Sequence, residues 1–491
     1  MMKTIYAYMI LLLGFMGCSN FLEESSLDEV HPSSVGELEQ ILLGSGYLEG
    51  GTTIYNATDF FTDNIKCNGY VYPPDQGTLE TMKWYFTWDD NMFTNEGRGY
   101  DPVFWGTPYT GIGVCNIVLD NLDDMHGDPA LRENIRGEAM VLRGWYYFHL
   151  VNFFGFPYSH GDPKENLGVP LKLNSNVTDE TFPRNSVAEV YAQIEKDLLE
   201  GFRLLKMHHI DRPYFRINYL AASAMLSRMY LYMEDWDKAL AYADTVLQVK
   251  SDLLDLNRFG IRMGGKSVYD PRTPDEIIWM REYNLTNLPG HIGDTHYRFP
   301  YSLADDLVEL LGATQKEHTD GTLRDLRGGL FLHWGVDDGA DERYPYVPSK
   351  DDRFGRSQGI RTAELYLDRA EAYARKYQKE GVDAYRVSAL ADLNTLRRSR
   401  FNNAFPYEEV DITNSEELIE FCFLERRKEL SGETNHRWFD LKRMGMPEIK
   451  HVYKTTPKEF GVEYYLTTNR YLLPIPDEAM RVNSKLEQNP R

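Results

Sequence analysis

Cysteine, positive charge and long apolar runs are all in short supply. The 491 residues contain four cysteines, Cys18, Cys67, Cys115 and Cys422, too few for a disulfide scaffold. Lysine and arginine number 53 against 75 aspartates and glutamates, a net charge of −22. A field of that sign repels phosphate backbones and anionic headgroups, which excludes nucleic acid as a partner. The N-terminal apolar run, Thr4 to Gly17 behind Lys3, is too short to cross a hydrocarbon layer about 30 Å thick as a stable helix. Residues 1–17 therefore read as a signal peptide, and residues 18–491 as one domain.

That run stops at "LLLGFMGCSNFLEE". Phe15, Met16 and Gly17 ahead of Cys18 resemble a bacterial lipobox, in which a small residue precedes the cysteine that receives lipid, although Phe15 is bulkier than the aliphatic residue usual there. Lipidation at Cys18 implies an anchored protein, since each buried methylene contributes about 0.8 kcal/mol and two signals hold stably. Cys67, Cys115 and Cys422 then remain and allow at most one disulfide.

Aromatic residues are plentiful, 13 % of the chain with 33 tyrosines, which suggests many rings at surfaces with one wet edge. Helical spacing dominates the first half. Trp105, Tyr109, Ile112, Asn116 and Leu119 share one helical face, and a longer helix is predicted from about Leu131 to Phe154. "SVAE" at Ser186 to Glu189 is a capping box, followed by Val190, Ile194, Leu198 and Leu205 on a buried face. "AASAMLSRMYLYMEDWDKALAYADTVL" is similar to a tetratricopeptide repeat, with Leu226 and Tyr230 in its first helix and the small Ala239 and Ala243 in its second. "TAELYLDRAEAYARKYQ" and "AYRVSALADLNTLRRSR" repeat the pairing more loosely. The expectation is a predominantly α, tetratricopeptide-like scaffold with loop-rich insertions. Its helical repeats cover about 105–250 and 360–445. The regions at about 55–104 and 251–359 are irregular, the latter broken by Pro271, Pro274, Pro289, Pro300, Pro345 and Pro348.

Three motifs invite chemistry and lose to plainer readings. "GIRMGGKS", Gly260 to Ser267, fits the phosphate-loop pattern, but "SDLLDLNRF" before it and the prolines of "VYDPRTP" after it deny the strand and helix that the mechanism needs. Glu425, Glu429 and Glu433 stand at intervals of four, as a glycosidase pair might. Arg426, Arg427, Lys428, Arg437, Lys442 and Arg443 around them would keep every carboxylate ionised, which points to ion pairs. In "RGWYYFHLVNFFGFPY" the rings surround the helix and belong to a core, with His149 hydrogen-bonded inside it. His208 and His209 lack a second ligand set for a metal, and the run Asp337 to Glu342 reads as a solvated turn. No catalytic set, metal site or cofactor motif emerges.

Taken in order, "CSNFLEE", "WGTPYTGIGVCNIVLDNL", "GEAMVLRGWYYFHLVNFFGFPY", "RTAELYLDRAEAYAR", "LADLNTLRRSRF", "FLERRKELSGETNHRWFDLKRMG" and "YLLPIPDEAMRVNSKLEQNP" resemble the SusD/RagB family of outer-membrane nutrient-binding lipoproteins. The resemblance implies a non-enzymatic, surface-exposed protein that captures oligosaccharides, or in some members peptides, and sits over a SusC-like TonB-dependent transporter. Sugar faces stack on Trp and Tyr while Asp, Asn and Arg bond hydroxyls. That makes Trp84, Tyr85, Trp88, Asp89 and Asn91 in "KWYFTWDDN" the first candidate ligand residues. Trp279, Arg281, Tyr283 and Trp334 in the irregular middle are the second set. Trp438, in the dense C-terminal segment, is expected to be structural.

Overall fold

The computed structural model describes residues 32–47, 58–69, 76–94, 104–178, 180–259, 268–270, 273–281, 300–331, 333–335, 344–346, 358–433 and 435–491. Its longer helices are α1 (Gln76–Phe86), α2 (Gly106–Asn121), α3 (Pro129–Phe154), α4 (Val187–Met207), α5 (Tyr219–Tyr232), α6 (Trp236–Leu247), α7 (Thr362–Glu380), α8 (Asp383–Arg398), α9 (Ser415–Leu430) and α10 (His436–Arg443). Strands form four two-stranded antiparallel ladders. They are β1 (Ile65–Cys67) with β3 (Tyr301–Leu303), β2 (Ile277–Arg281) with β6 (Gln358–Arg361), β4 (His333–Gly335) with β5 (Tyr344–Tyr346), and β7 (Ile449–Tyr453) with β8 (Val462–Leu466). Among the described residues no helix is long and apolar enough to cross a membrane.

Local chemistry starts these helices where the sequence says it should. Ser186 and Glu189 complete the reciprocal capping box of α4, and Asp128 caps α3 with Pro129 in its first turn. Asn218 and Asp235 cap α5 and α6. Packing then runs in chain order from α2 through α6, and α7 lies against α6 although the whole irregular middle separates them. The repeat stack is thus continuous in space, and the middle leaves it and returns.

Close approach needs small residues. At the crossing of α3 and α4 a Cβ on Gly201 would lie 2.5 Å from Val141 Cγ2 and 2.9 Å from the Gly137 carbonyl oxygen, so only glycine fits there. In the repeat pair, Ser227 Oγ donates to the Ala239 carbonyl at 3.0 Å and Ser223 Oγ to that of Tyr242 at 2.9 Å, joining α5 to α6 across the small faces.

Tyrosine behaves differently from the composition-based expectation. Tyr146, Tyr147, Tyr191 and Tyr230 are fully buried. Their hydroxyls donate to the Gly46 and Lys172 carbonyls, to Asn152 Oδ1 and to Glu195 Oε1, at 2.6, 2.8, 3.1 and 2.6 Å. A phenol is long enough to span two layers and satisfy a polar atom at the far side. The three cysteines other than Cys18 are buried and free, and burial pushes the Cys115 thiol up to about 12. His149 lies in the core with Nδ1 2.8 Å from the Trp145 carbonyl.

The base of the irregular middle is closed by buried charge. Glu276 precedes β2, Arg361 ends β6, Arg327 comes from within the insertion and Arg400 follows α8. All converge on Glu425, Glu429 and Glu433 at the end of α9. Arg361 reaches Glu276 at 2.8 Å, Glu429 at 2.6 Å and Glu433 at 2.7 Å. Arg400 reaches Glu276 at 2.6 Å and Glu429 at 2.9 Å. Arg327 reaches Glu425 at 2.8 Å and Glu429 at 3.2 Å. Every one of these side chains is buried, so the ion-pair reading of the glutamates holds and no substrate has access to them.

Burial alone would raise these carboxyls, but the guanidinium groups outweigh it. Arg327, Lys428 and Arg397 bring Glu425 down to about 2, and Arg400, Arg361 and Arg327 hold Glu429 well below the ordinary range. Unfolded glutamates bind protons near pH ~4.5, so in the window between there and about 2 the unfolded chain carries more protons and stability falls as pH falls. Melting temperature should therefore decline steeply below about pH 4.5, and a flat profile from pH 5 to 3 would refute the ion pairing. Glu429→Gln takes one carboxylate from each of three buried guanidiniums, which keep their other partners, and should lose about 3 kcal/mol in denaturant titration at pH 7.

Candidate ligand-binding surface

The first candidate segment is shaped by how α1 ends. Thr87 Oγ1 donates back to the Lys83 carbonyl at 2.8 Å, and Trp88 follows in the left-handed region at φ 50°. For a bulky residue that conformation costs about 1–2 kcal/mol, so the surroundings must enforce it. The Trp88 side chain is 0 % exposed. Its indole N–H donates to the Phe61 carbonyl at 2.9 Å, and its ring stacks on His451 with centroids 4.1 Å apart. His451 is fixed in turn by the Phe86 and Thr62 carbonyls at 2.7 and 3.0 Å.

The left-handed residue reverses the chain and sends the next three side chains outward. Asp89 is half-buried, and Asp90 and Asn91 are exposed. Asp89 Oδ1 accepts from the Asn91 N–H at 2.8 Å, and the Asp89 N–H donates to the Trp84 carbonyl at 3.0 Å. Arg491 clamps the turn from outside. Its Nη2 donates to the Trp88 and Asp89 carbonyls at 3.1 and 3.3 Å, its Nη1 to the Leu472 carbonyl at 3.0 Å, and its Nε pairs with Asp90 at 3.0 Å. Arg470 reaches Asp90 at 3.3 Å. Nothing local in "KWYFTWDDN" signals Arg470, Arg491, Phe61 or His451, because those partners come from remote parts of the chain.

Three of the expected ligand rings are core residues. Trp88 is the anchor just described. Tyr85, 5 % exposed, packs edge-on to Phe61 at 5.6 Å and beside Phe104 at 6.3 Å. Trp279, 0 % exposed, sits on β2 edge-on to Trp145 at 5.4 Å, with its N–H donating to the Phe215 carbonyl at 3.3 Å. Each ring carries a large apolar area that is most stable out of water, and each has a tertiary slot to fill. Trp84 is the ring of this segment that keeps solvent exposure, half-buried beside the core.

The second candidate set is rooted on the ladders. Arg281 ends β2 opposite Gln358, and Trp334 lies in β4 opposite Pro345. The side chains of both lie outside the described residues, as do Tyr283, Cys18, the phosphate-loop look-alike and the acidic run after Trp334. The first regular element after that look-alike among the described residues is β2, a strand and not the helix a phosphate loop requires. Trp438 is fully buried and stacks on Tyr471 at 5.0 Å, a structural residue as expected.

Comparison with known proteins places the whole chain. A family profile described as "Starch-binding associating with outer membrane" matches residues 21–231, and the SusD family profile matches residues 335–491. SusD-like protein P2 of Formosa agariphila is 23 % identical over 540 residues, covering 100 % of this chain and 99 % of its own length. A putative sugar binding protein of Bacteroides vulgatus shares the fold with a TM-score of 0.72 at 22 % identity, over 94 % of this chain and 99 % of its own. A laminarin binding SusD-like protein does so with a TM-score of 0.63 at 19 % identity, over 94 % and 100 %. At these identities the likeness to the solved structures is one of fold.

Burial separates the roles of the two neighbouring tryptophans. Trp88→Ala should lose about 3–5 kcal/mol, as truncation of a buried ring does, and lower the melting temperature sharply. Trp84→Ala should shift it far less. Thermal melts of the two variants side by side check this, and equal losses would refute the assignment of Trp88 as the anchor.

Proposed function

The chain belongs to the SusD/RagB family, and from that premise we propose that it is a cell-surface lipoprotein, anchored through Cys18, that captures an oligosaccharide and passes it to a SusC-like TonB-dependent transporter. It performs no chemistry of its own. The observation that carries the reading is the strained turn at Trp88, where a buried anchor in an unfavourable backbone conformation turns Asp89, Asp90 and Asn91 outward, with the Asp89 N–H on the carbonyl of the half-buried Trp84. Backbone strain persists where surroundings enforce it and clusters at binding sites. An indole that keeps part of its exposure, with a carboxylate and an amide within the next two turns of chain, supplies a stacking face and partners for hydroxyls, which is the chemistry of sugar recognition. Relatives of the same fold described as sugar binding and laminarin binding support the same ligand class. Arg281 and Trp334, on β2 and β4, and Tyr283, two positions beyond Arg281 in the sequence, are the further candidates for this surface.

Calorimetry of the mature protein against oligosaccharides of several glycan classes tests this. Trp84→Ala and a paired Asp89→Asn, Asn91→Ala variant should each lose about 2 kcal/mol of binding, roughly thirtyfold in affinity, with melting temperatures near wild type. Unchanged affinity in both would move the ligand surface elsewhere, and binding of peptides with no glycan bound would replace the ligand class. Turnover of any glycan would overturn the non-enzymatic reading. Cys18→Ala should release the protein from the membrane fraction or leave its leader uncleaved.

A further inference from the structure

We propose that His451 is held as an imidazolium in the folded protein and that, in this charged form, it is the positioning residue of the strained turn after α1. Its bearing on ligand capture rests on the reading above. The charge of the ring does not, and the measurements below read the ring and the turn without a ligand.

His451 lies on β7 opposite Tyr464 and is 5 % exposed. Its Nδ1 is 2.7 Å from the Phe86 carbonyl oxygen and its Nε2 is 3.0 Å from that of Thr62. A backbone carbonyl only accepts, and a neutral imidazole has a single N–H to give. With one proton, the bare nitrogen would set its lone pair against a buried carbonyl oxygen at hydrogen-bond distance, leaving two acceptors face to face. Turning the ring over brings no relief, because carbon would then stand closer to oxygen than the ~3.3–3.6 Å of a C–H···O contact. Two N–H groups, and with them a positive charge, satisfy both carbonyls.

The rings around His451 favour the same state. Phe86 and Trp88 both stack on it with centroids 4.1 Å away, at 13° and 22° to its plane. Two rings so nearly parallel at that separation cannot share one face, so they enclose the imidazole from both sides. A cation is drawn to the face of an aromatic ring, most of all to tryptophan and where water is excluded, and all three rings are buried.

Burial by itself pulls the imidazolium down from its ordinary range, and the Phe86 and Thr62 carbonyls and Asp63 oppose it. Asp63 is bonded to Arg437 at 2.8 and 2.6 Å. The other titratable groups on the neighbouring elements are turned elsewhere. On α1, Glu80 is exposed and Lys83 lies over the Tyr453 ring. On β1, Lys66 pairs with Asp305, and burial pushes the Cys67 thiol up. Lys450 pairs with Glu463 across the β7–β8 hairpin, and Asp90 on the turn pairs with Arg491.

The ring grips both sides of the strained residue. It holds the backbone of Phe86 at the end of α1, the indole of Trp88 at φ 50°, and Thr62, whose neighbour Phe61 accepts the Trp88 indole N–H. Loss of the proton frees one carbonyl and ends the attraction to the indole, so the outward-facing residues that follow Trp88 should respond to it.

Nitrogen NMR of the mature protein carrying isotope-labelled histidine reads the ring directly. The His451 signals are identified by their contacts with the Trp88 indole and by their absence from His451→Phe. Both nitrogens should carry protons at neutral pH, and a bare nitrogen there overturns the proposal. Raising the pH through the titration of the ring should move the Asp89 and Asn91 amide resonances in step with it. Amides that stay in place while the ring deprotonates overturn the positioning role. His451→Phe keeps a ring in the stack but gives neither hydrogen bonds nor charge. In thermal melts the advantage of wild type over this variant should be complete below about pH 6.5, where the unfolded ring is charged too, and shrink as pH rises through the titration of the folded ring. An advantage that grows with pH overturns the charged state.

Discussion

Glu429 and the three arginines that meet on it are the constraint on which the remaining structure depends. Arg361 belongs to the returning strand of the insertion, Arg327 to its interior and Arg400 to the segment after α8. None is near Glu429 in sequence, so this one carboxylate defines where the insertion leaves and re-enters the repeat stack. Apolar packing would be as stable or more so, since desolvating ions is expensive. What the charges add is direction. A guanidinium fork meets a carboxylate in few geometries, and that restricts the register of β2 on β6 more tightly than side chains that merely fill volume.

The same helix turns its other face to a second set of buried ions. Arg426 pairs with Asp368 on α7 at 2.5 Å and with Asp440 on α10 at 3.2 Å, while Arg443 joins Glu371 to Asp440 at 2.8 and 2.7 Å. Glu425 and Glu429 on one side and Arg426 on the other make α9 a rigid key between the stack and everything inserted into it.

The aromatic content divides along the same line. Rings reachable by another layer of the stack are buried, and their polar atoms find backbone carbonyls, as in Tyr146, Tyr147, Trp88 and Trp279. The ring left half-exposed, Trp84, stands one helical turn before Trp88. The buried indole holds the strained turn while Trp84 stays half-buried at the edge of the core, so neighbouring residues of one type meet opposite surroundings. The clamp by Arg491 holds the short turn and its polar groups in place from a remote part of the sequence.

The helix α1, inside a stretch expected to be irregular, was not legible in the sequence, whereas the helices α2 to α8, the capping box at Ser186, the small residues of the repeat pair, the ion pairing of Glu425, Glu429 and Glu433 and the structural role of Trp438 were. Each depends on neighbours a few residues away or on charge density within one segment, and periodicity and capping report such short-range physics directly. Which tryptophans of "KWYFTWDDN" face water was not legible. Trp84 and Trp88 have equivalent local surroundings in the sequence, and what separates them is Phe61, His451 and Arg491, up to about four hundred positions away, together with a left-handed φ that no local preference would select for tryptophan. Composition and pattern determined the kind of molecule this is. Only the tertiary structure decided which rings became core and which remained surface, because burial is settled by contacts that the chain makes after it has folded.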